Sequence, residues 1–291
     1  MHSDNIGIIL AGGMGLRLHP ITLTLNKHLL PVYNKPMIYY PISILMLAGI
    51  KRILLITDKE SVKKFKKLFN NGKYLGIEIS YIVQHKPNGI PEGLILAKKK
   101  IMNKKTILIL GDNFFFGQNF PDELKKAINN NEDGCTFFTY NVSNPENYAV
   151  ISSTKKKIII EEKPKKPKSN LVIPGIYIFD NKASYYASKL KKSKRGELEI
   201  VYLIKMYLDK KKYICQKINR GVAWHDMGSF DDLLAASDLV QKYEERQNLM
   251  IGSVEEVAFR MGYIDKKKIL QFSSKINNSY GNYLKKIINE K

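Results

Sequence analysis

Several things are scarce in this chain. Its 291 residues hold two cysteines, Cys135 and Cys215, and one tryptophan, Trp224. The cysteines sit in the apolar stretches Cys135-Thr136-Phe137-Phe138 and Tyr213-Ile214-Cys215, with no metal-ligand spacing, so both are expected to be reduced core residues. No apolar run approaches the length that crosses a membrane. The polar opening Met1-His2-Ser3-Asp4-Asn5, followed only by Ile6 to Leu10, does not make a secretory signal. A cytoplasmic location without a membrane partner is therefore expected. Acidic residues are also few: 27 Asp and Glu against 48 Lys and Arg give a net charge of +21.

That charge would suit a nucleic-acid binder, but almost all of it is lysine. Arginine occurs only at 17, 52, 195, 220, 246 and 260. Runs such as Lys98-Lys99-Lys100, Lys155-Lys156-Lys157 and Lys191-Lys192 fall at expected helix ends and turns, where they read as solvated faces. No helix-turn-helix, zinc-finger or RNA-binding signature accompanies them, so no nucleic-acid partner is expected. Where lysine is used this freely, a remaining arginine marks a place that needs the planar fork, and Arg17, Arg195 and Arg220 fit that idea.

A chain of this length can bury a substantial core without disulfides. Apolar runs at Ile6–Leu10, Ile53–Thr57, Ile77–Val83, Thr106–Leu110 and Gly134–Tyr140 predict strands. Between them Ile38–Ala48, Ser61–Phe69, Pro91–Met102 and Asp122–Asn129 predict helices. The alternation implies an α/β protein with a mainly parallel sheet flanked by helices, whose ligands bind beyond the carboxyl ends of the strands. Further on, Tyr148–Ser152 and Ile158–Glu162 predict a hairpin across Thr154-Lys155-Lys156, and Val172–Phe179 a strand. Asp231–Gln247 predicts a helix, and Val254–Phe259 with Lys266–Ile288 a tail of short helices. The reading is one compact domain with a small β insertion and C-terminal helices.

The most informative stretch is Leu10-Ala11-Gly12-Gly13-Met14-Gly15-Leu16-Arg17-Leu18, directly after the first apolar run. Glycines let backbone N–H groups approach a phosphate, and Arg17 adds a fork that suits one. Lys27 follows ten residues later. The loop lacks the Gly-Lys-Ser/Thr of a Walker loop. It also lacks the third glycine and later acid of a dinucleotide loop, having Leu18 and then Pro31-Val32-Tyr33-Asn34-Lys35. A nucleoside triphosphate site of another kind is the reading.

The motifs continue in order as Lys27-x-Leu29-Leu30-Pro31-Val32, Lys35-Pro36-Met37-Ile38, Tyr39-Tyr40-Pro41, Gly111-Asp112-Asn113, Glu161-Glu162-Lys163-Pro164, Arg195-Gly196-Glu197-Leu198-Glu199 and Trp224-x-Asp226-x-Gly228. Over nearly the whole chain this resembles the sugar-phosphate nucleotidyltransferases, and within them the thymidylyltransferase branch. The resemblance implies a Rossmann-like fold of the nucleotide-diphospho-sugar transferase type. It also implies transfer of a deoxythymidylyl group from dTTP to glucose 1-phosphate, the first step of dTDP-rhamnose synthesis, in a homotetramer that uses Mg²⁺. Residues 1–250 would form the transferase domain, with a nucleotide-binding half at 1–140 and a sugar-binding half at 141–250. Residues 251–291 would be an accessory region at a subunit contact and a regulatory nucleotide site. By the same resemblance Arg17, Lys27, Lys163, Asp112 and Asp226 do the chemistry, the two aspartates as metal ligands. Leu10, Gly12, Gly13, Gly15, His28, Gln84 and Gly89 join Arg17, Lys27 and Asp112 around the nucleotide, Gln84 reading the pyrimidine edge. Asn113, Ala149, Glu162, Lys163, Ile173 and Tyr177 line the sugar site.

The chain departs from the family at Leu16, His28, Ala149 and Pro174, and in Gly89-Ile90-Pro91-Glu92-Gly93 and Val201-Tyr202. His28 in place of glutamine is expected to donate to the triphosphate or base and to add a pH dependence. Gln118 falls in the region the family uses for its regulatory contact. Two other readings stay open: a sister nucleotidyltransferase for UTP or another sugar 1-phosphate, and a sugar-nucleotide binder that no longer turns over.

Overall fold

The apolar runs pair side by side in the computed structural model, which describes residues 4–117, 119–153 and 157–290. The strands are β1 (Ile6–Leu10), β2 (Pro31–Val32), β3 (Lys35–Pro36), β4 (Arg52–Thr57), β5 (Glu78–Val83), β6 (Thr106–Leu110), β7 (Asn113–Phe116), β8 (Cys135–Asn141), β9 (Ala149–Ser153), β10 (Ile158–Glu162), β11 (Leu171–Val172), β12 (Ile176–Phe179), β13 (Tyr213–Lys217) and β14 (Ala223–Asp226). The helices are α1 (Tyr39–Leu47), α2 (Lys59–Phe69), α3 (Pro91–Ile101), α4 (Phe120–Asn130), α5 (Ala183–Ala187), α6 (Ile200–Asp209), α7 (Phe230–Gln247), α8 (Val254–Arg260), α9 (Lys266–Ser273) and α10 (Ser279–Ile287).

Among the described residues ten strands form one sheet in the order β10-β9-β11-β8-β12-β6-β1-β4-β5, with β13 parallel to β8. Strands β6, β1, β4 and β5 run parallel, and β12 enters antiparallel between β6 and β8. The sheet is thus mixed, with one parallel half. Alternation along the strands gives each face its own core. Ile9, Ile53, Leu55, Ile107 and Ile109 pack with α1, α2 and α4 residues such as Leu45, Phe65 and Phe120. Ile8, Leu54, Ile56 and Leu108 pack on the other side with Leu94, Leu203 and Tyr207 of α3 and α6.

Several boundaries differ from the sequence reading for local reasons. The run Val172–Phe179 is broken into β11 and β12, because Pro174 has no N–H for a ladder and the Gly175 N–H goes to the Asn113 side chain at 3.0 Å. The tail forms short helices as expected, Lys266–Ile288 dividing into α9 and α10, with Asn278 capping the second. The two-stranded ladder of β7 and β14, which carries Asp226, was not expected at all. Cys135 is buried, but Cys215 is exposed on β13, which among the described residues pairs only with β8, so it is not a core residue. The turn Thr154-Lys155-Lys156 and Gln118 lie outside the described residues. No helix among the described residues is long and apolar enough to cross a membrane.

The tail shares the core of the body. Val254, Val257, Ile269, Leu284 and Ile287 belong to the same buried cluster as Ile42 and Phe65. A buried ion pair joins Lys35 to Glu244 of α7 at 2.7 Å, and the Glu244 carboxylate also accepts from Asn34 at 2.6 Å and from the Ile251 N–H at 2.7 Å.

Candidate active site

The glycine loop leaves β1 beside the ends of β4 and β6. Gly13 and Gly15 hold φ of +103° and +60°, a region that side chains disfavour. Gly12 is needed for space: a Cβ there would lie 2.6 Å from Oε1 of Gln84, at the end of β5. Asn26 ties the lysine segment to β1, since its Nδ2 donates to the Ala11 carbonyl at 2.9 Å and its Oδ1 accepts the His28 N–H at 2.9 Å. Lys27 then reaches across to pair with the Asp112 carboxylate. The next residue, His28, enters the interior. It is 1 % exposed, its Nδ1 lies 2.8 Å from Asn26 Oδ1, and it packs under Gly111. Burial, then the charge of Lys27, pushes its pKa down to about 3. This placement runs against the expected contact with a triphosphate, and a ring already neutral at physiological pH supplies no pH dependence there.

Two carboxylates, the buried Asp112 and the half-buried Asp226, lie beyond the end of β6. Asp112 follows Gly111 at the strand end, and β14 runs antiparallel to β7 so that Asp226 faces Asn113. The Met227 N–H donates to the Asp112 carbonyl at 2.8 Å and locks the two segments together. Arg17 approaches Asp226 at 4.0 Å. Burial pushes the Asp112 carboxyl up, but the charge of Lys27 and hydrogen bonds from Lys27 and Asn113 outweigh it and hold it well below the usual range. Asp226 goes the other way, up to about 6, through burial and the charge of Asp112. A carboxyl raised by the charge of a neighbouring carboxylate marks a place where negative charge is concentrated. Among the described residues no group of three or more His, Cys, Asp and Glu clusters for a metal. Two carboxylates with space for phosphate oxygens nevertheless fit a hard cation such as Mg²⁺.

The residues expected around a sugar lie across the same strand ends. Lys163 follows β10 with φ of +45°, its N–H bonded to the Tyr148 carbonyl at 3.0 Å. The Ala149 carbonyl accepts the Ile173 N–H at 2.9 Å. Asn113 Oδ1 accepts from Trp224 Nε1 at 2.8 Å as well as from Gly175. A cavity of about 200 Å³ is lined by Arg17, Asp112, Asn113, Ala149, Glu162, Lys163, Ile173, Tyr177 and Asp226 together. Gly13 and Gln84 instead line a separate groove of about 620 Å³ on the glycine-loop side. Leu10, Gly12, Gly15, Lys27, His28 and Gly89 line neither, although Gly12 and Lys27 touch residues that do.

Several cavity residues were not assigned from the sequence. Arg195 Nη1 lies 3.5 Å from Glu162 and 3.9 Å from Glu199; its signals in the sequence were the rarity of arginine and its place in the Arg195-Gly196-Glu197-Leu198-Glu199 motif. Glu199 is buried and accepts from Ser193 at 2.7 Å. Burial, then the charge of Glu199, pushes the Glu162 carboxyl up. Trp224 and Tyr148 also line the cavity.

A family model described as nucleotidyl transferase matches residues 6–243, which include every residue placed around both hollows above. The chain belongs to the nucleotidyl transferase family. It is 45% identical over 285 residues to the glucose-1-phosphate thymidylyltransferase of Neisseria meningitidis, covering 97% of this chain and 99% of that one. To the enzyme of the same name from Mycobacterium tuberculosis it is 42% identical, covering 97% and 98%. A crystal structure of a Bacillus anthracis protein described as a glucose-1-phosphate thymidylyltransferase, in complex with sucrose, matches with a TM-score of 0.74 at 38% identity, over 81% of this chain and 95% of that one. A UDP-glucose pyrophosphorylase bound to UDP-glucose shares the fold, with a TM-score of 0.72 at 24% identity over 83% and 99%. In this nucleotidyltransferase the motif residues therefore converge on the carboxyl ends of the strands, where an open α/β sheet binds its ligands.

Proposed function

We propose that this nucleotidyltransferase moves the deoxythymidylyl group of dTTP to glucose 1-phosphate, giving dTDP-glucose and pyrophosphate. The observation that carries the reading is the convergence of Arg17, Asp112, Asp226, Glu162 and Lys163 on one cavity. The sugar phosphate is an anion near neutral pH, so its oxygen attacks the α-phosphorus in line without a general base. The work left to the protein is to bring two negatively charged phosphates together and hold them in line. Lys163 and Arg195 sit where a sugar phosphate would enter, and Glu162 accepts from sugar hydroxyls. Arg17 and Lys27 clasp the triphosphate and offset charge on the departing pyrophosphate. Asp112 and Asp226 would hold Mg²⁺, which when bound supplies further neutralisation of phosphate charge. Gln84, at the end of β5, reads the pyrimidine edge.

The same reading puts the reaction at the head of dTDP-rhamnose synthesis and the chain in a homotetramer. Residues 1–140 would hold the nucleotide, 141–250 the sugar, and 251–291 the accessory region. The resemblance of the motifs supports these assignments.

The test is pyrophosphate release by the purified chain with Mg²⁺, glucose 1-phosphate and each nucleoside triphosphate in turn. Turnover favouring dTTP is expected. Preference for another triphosphate would move the substrate assignment. Silence with all of them, from a folded sample, would leave only a binder.

A further inference from the structure

Gln84 has an unexpected partner. Its Nε2 donates to a carboxylate oxygen of Glu92, near the start of α3. The same Glu92 carboxylate accepts the Asn88 N–H at 3.2 Å and Asn88 Nδ2 at 2.6 Å, so it is held from several directions. The intervening loop is anchored as well. The Asn88 carbonyl accepts the Leu198 N–H at 2.7 Å, and Asn88 Oδ1 accepts from Lys192 at 2.8 Å. At the other end the Gln84 N–H donates to the Thr57 carbonyl at 2.8 Å. Pro91 occupies the first turn of α3, and Glu92 lies in that turn, where the helix dipole favours a negative charge.

An ionised carboxylate only accepts, so it takes the NH₂ end of the Gln84 amide and never the oxygen. The oxygen is left facing Gly12 of the nucleotide loop. This matters because a free glutamine amide reads two kinds of pyrimidine. In one orientation its oxygen accepts an N3–H and its nitrogen donates to O4, the imide edge of thymine or uracil. Turned by 180° it accepts from N4 and donates to N3, the edge of cytosine. A group that holds the nitrogen on one side removes the second option, and discrimination follows from the mismatch it imposes.

We infer that Glu92 is a positioning residue that holds the Gln84 amide in one of its two orientations and so selects pyrimidines carrying an N3–H. The inference rests on the reading of Gln84 as the base-contacting residue. It concerns a residue that touches no substrate and acts only through its neighbour. At position 92 a glutamine would satisfy either orientation of Gln84, because its amide both donates and accepts.

The experiment compares dTTP and dCTP, each with glucose 1-phosphate and Mg²⁺, in the parent chain and in Glu92→Gln and Glu92→Ala. The Gln variant is isosteric and guards against a folding failure in the Ala variant, and thermal melts check both. The dTTP-to-dCTP ratio of kcat/KM is expected to fall roughly tenfold or more in both variants, the loss for dTTP appearing mainly in KM. A purely structural role would depress both triphosphates alike and leave the ratio in place; a ratio unchanged within about twofold in folded variants overturns the inference. A parent chain that turns over but does not discriminate dTTP from dCTP also overturns it, while leaving the transfer reaction standing. A parent chain silent with every triphosphate removes the proposed function and this inference together.

Discussion

Arg17 is largely exposed yet comes within 4.0 Å of Asp226. A guanidinium can face that carboxylate and still present N–H groups to a second anion, which an ammonium on a flexible stem does poorly. Arg17→Lys is therefore expected to lower kcat/KM about 100-fold while the melting temperature stays within roughly 2 °C, as read by pyrophosphate release and thermal melts. Glu162 gives a prediction in pH. Its folded pKa lies above the ordinary 4.5 because of burial and the charge of Glu199. Holding it ionised therefore costs folded-state stability, and the cost appears as pH rises through the folded value. Glu162→Gln is expected to melt higher than the parent at pH 7 to 8, and the difference should vanish below the ordinary value of 4.5. The same variant should lose affinity for glucose 1-phosphate. Melts across that range, with a glucose 1-phosphate titration, check both halves. At this scale the motif residues were legible as residue types. The neutrality of His28 was not, because burial under Gly111 is a property of packing.

At the scale of elements, the loop from Gln84 to Glu92 and the turn that carries Arg195 are one unit. Gly89 holds φ of +104°, and a Cβ there would sit 2.1 Å from the Leu198 carbonyl. No side-chain rearrangement relieves a clash with backbone, so Gly89→Ala must separate the two segments. The expected result is a melting temperature lower by ~5 °C and a higher KM for both triphosphate and sugar phosphate, since the proposed function assigns the loop to the triphosphate and the turn to the sugar phosphate. A change confined to the triphosphate would show that the segments act separately. The inner parallel strands β1, β4 and β6 were readable because burial on both faces makes them nearly continuous apolar runs. The β7 and β14 ladder was not readable: Asn113–Phe116 and Ala223–Asp226 are short, and each is stabilised by a partner more than 100 residues away.

At the scale of the molecule, the buried pair of Lys35 and Glu244 joins the segment after the glycine loop to α7 and to the start of the tail. Removing one member leaves a buried charge without its counterion, which costs far more than the pair itself contributes. Lys35→Met is expected to lower stability by ~3 kcal/mol, read as an earlier urea midpoint with an unchanged slope. If the variant is as stable as the parent, α7 is not held to the body through this pair. The net charge of +21 belongs to this scale too. It is spread over lysines on solvated faces, while at the candidate site a few cations are placed against Asp112 and Asp226.

The sequence by itself determined what depends on local pattern: the class of fold from the period and length of the apolar runs, the phosphate-suited glycine loop, and the residue types found at the candidate site. Only the tertiary structure decided which of them meet. Asp226 stands by Asp112 because β14 pairs with β7. Arg195 joins Glu162 because its turn is clamped to the loop at Asn88. The Gln84 amide is oriented because Glu92 lies beside it. These are contacts between segments remote in sequence or set by loop geometry, and their energies come from burial and pairing that no local pattern encodes.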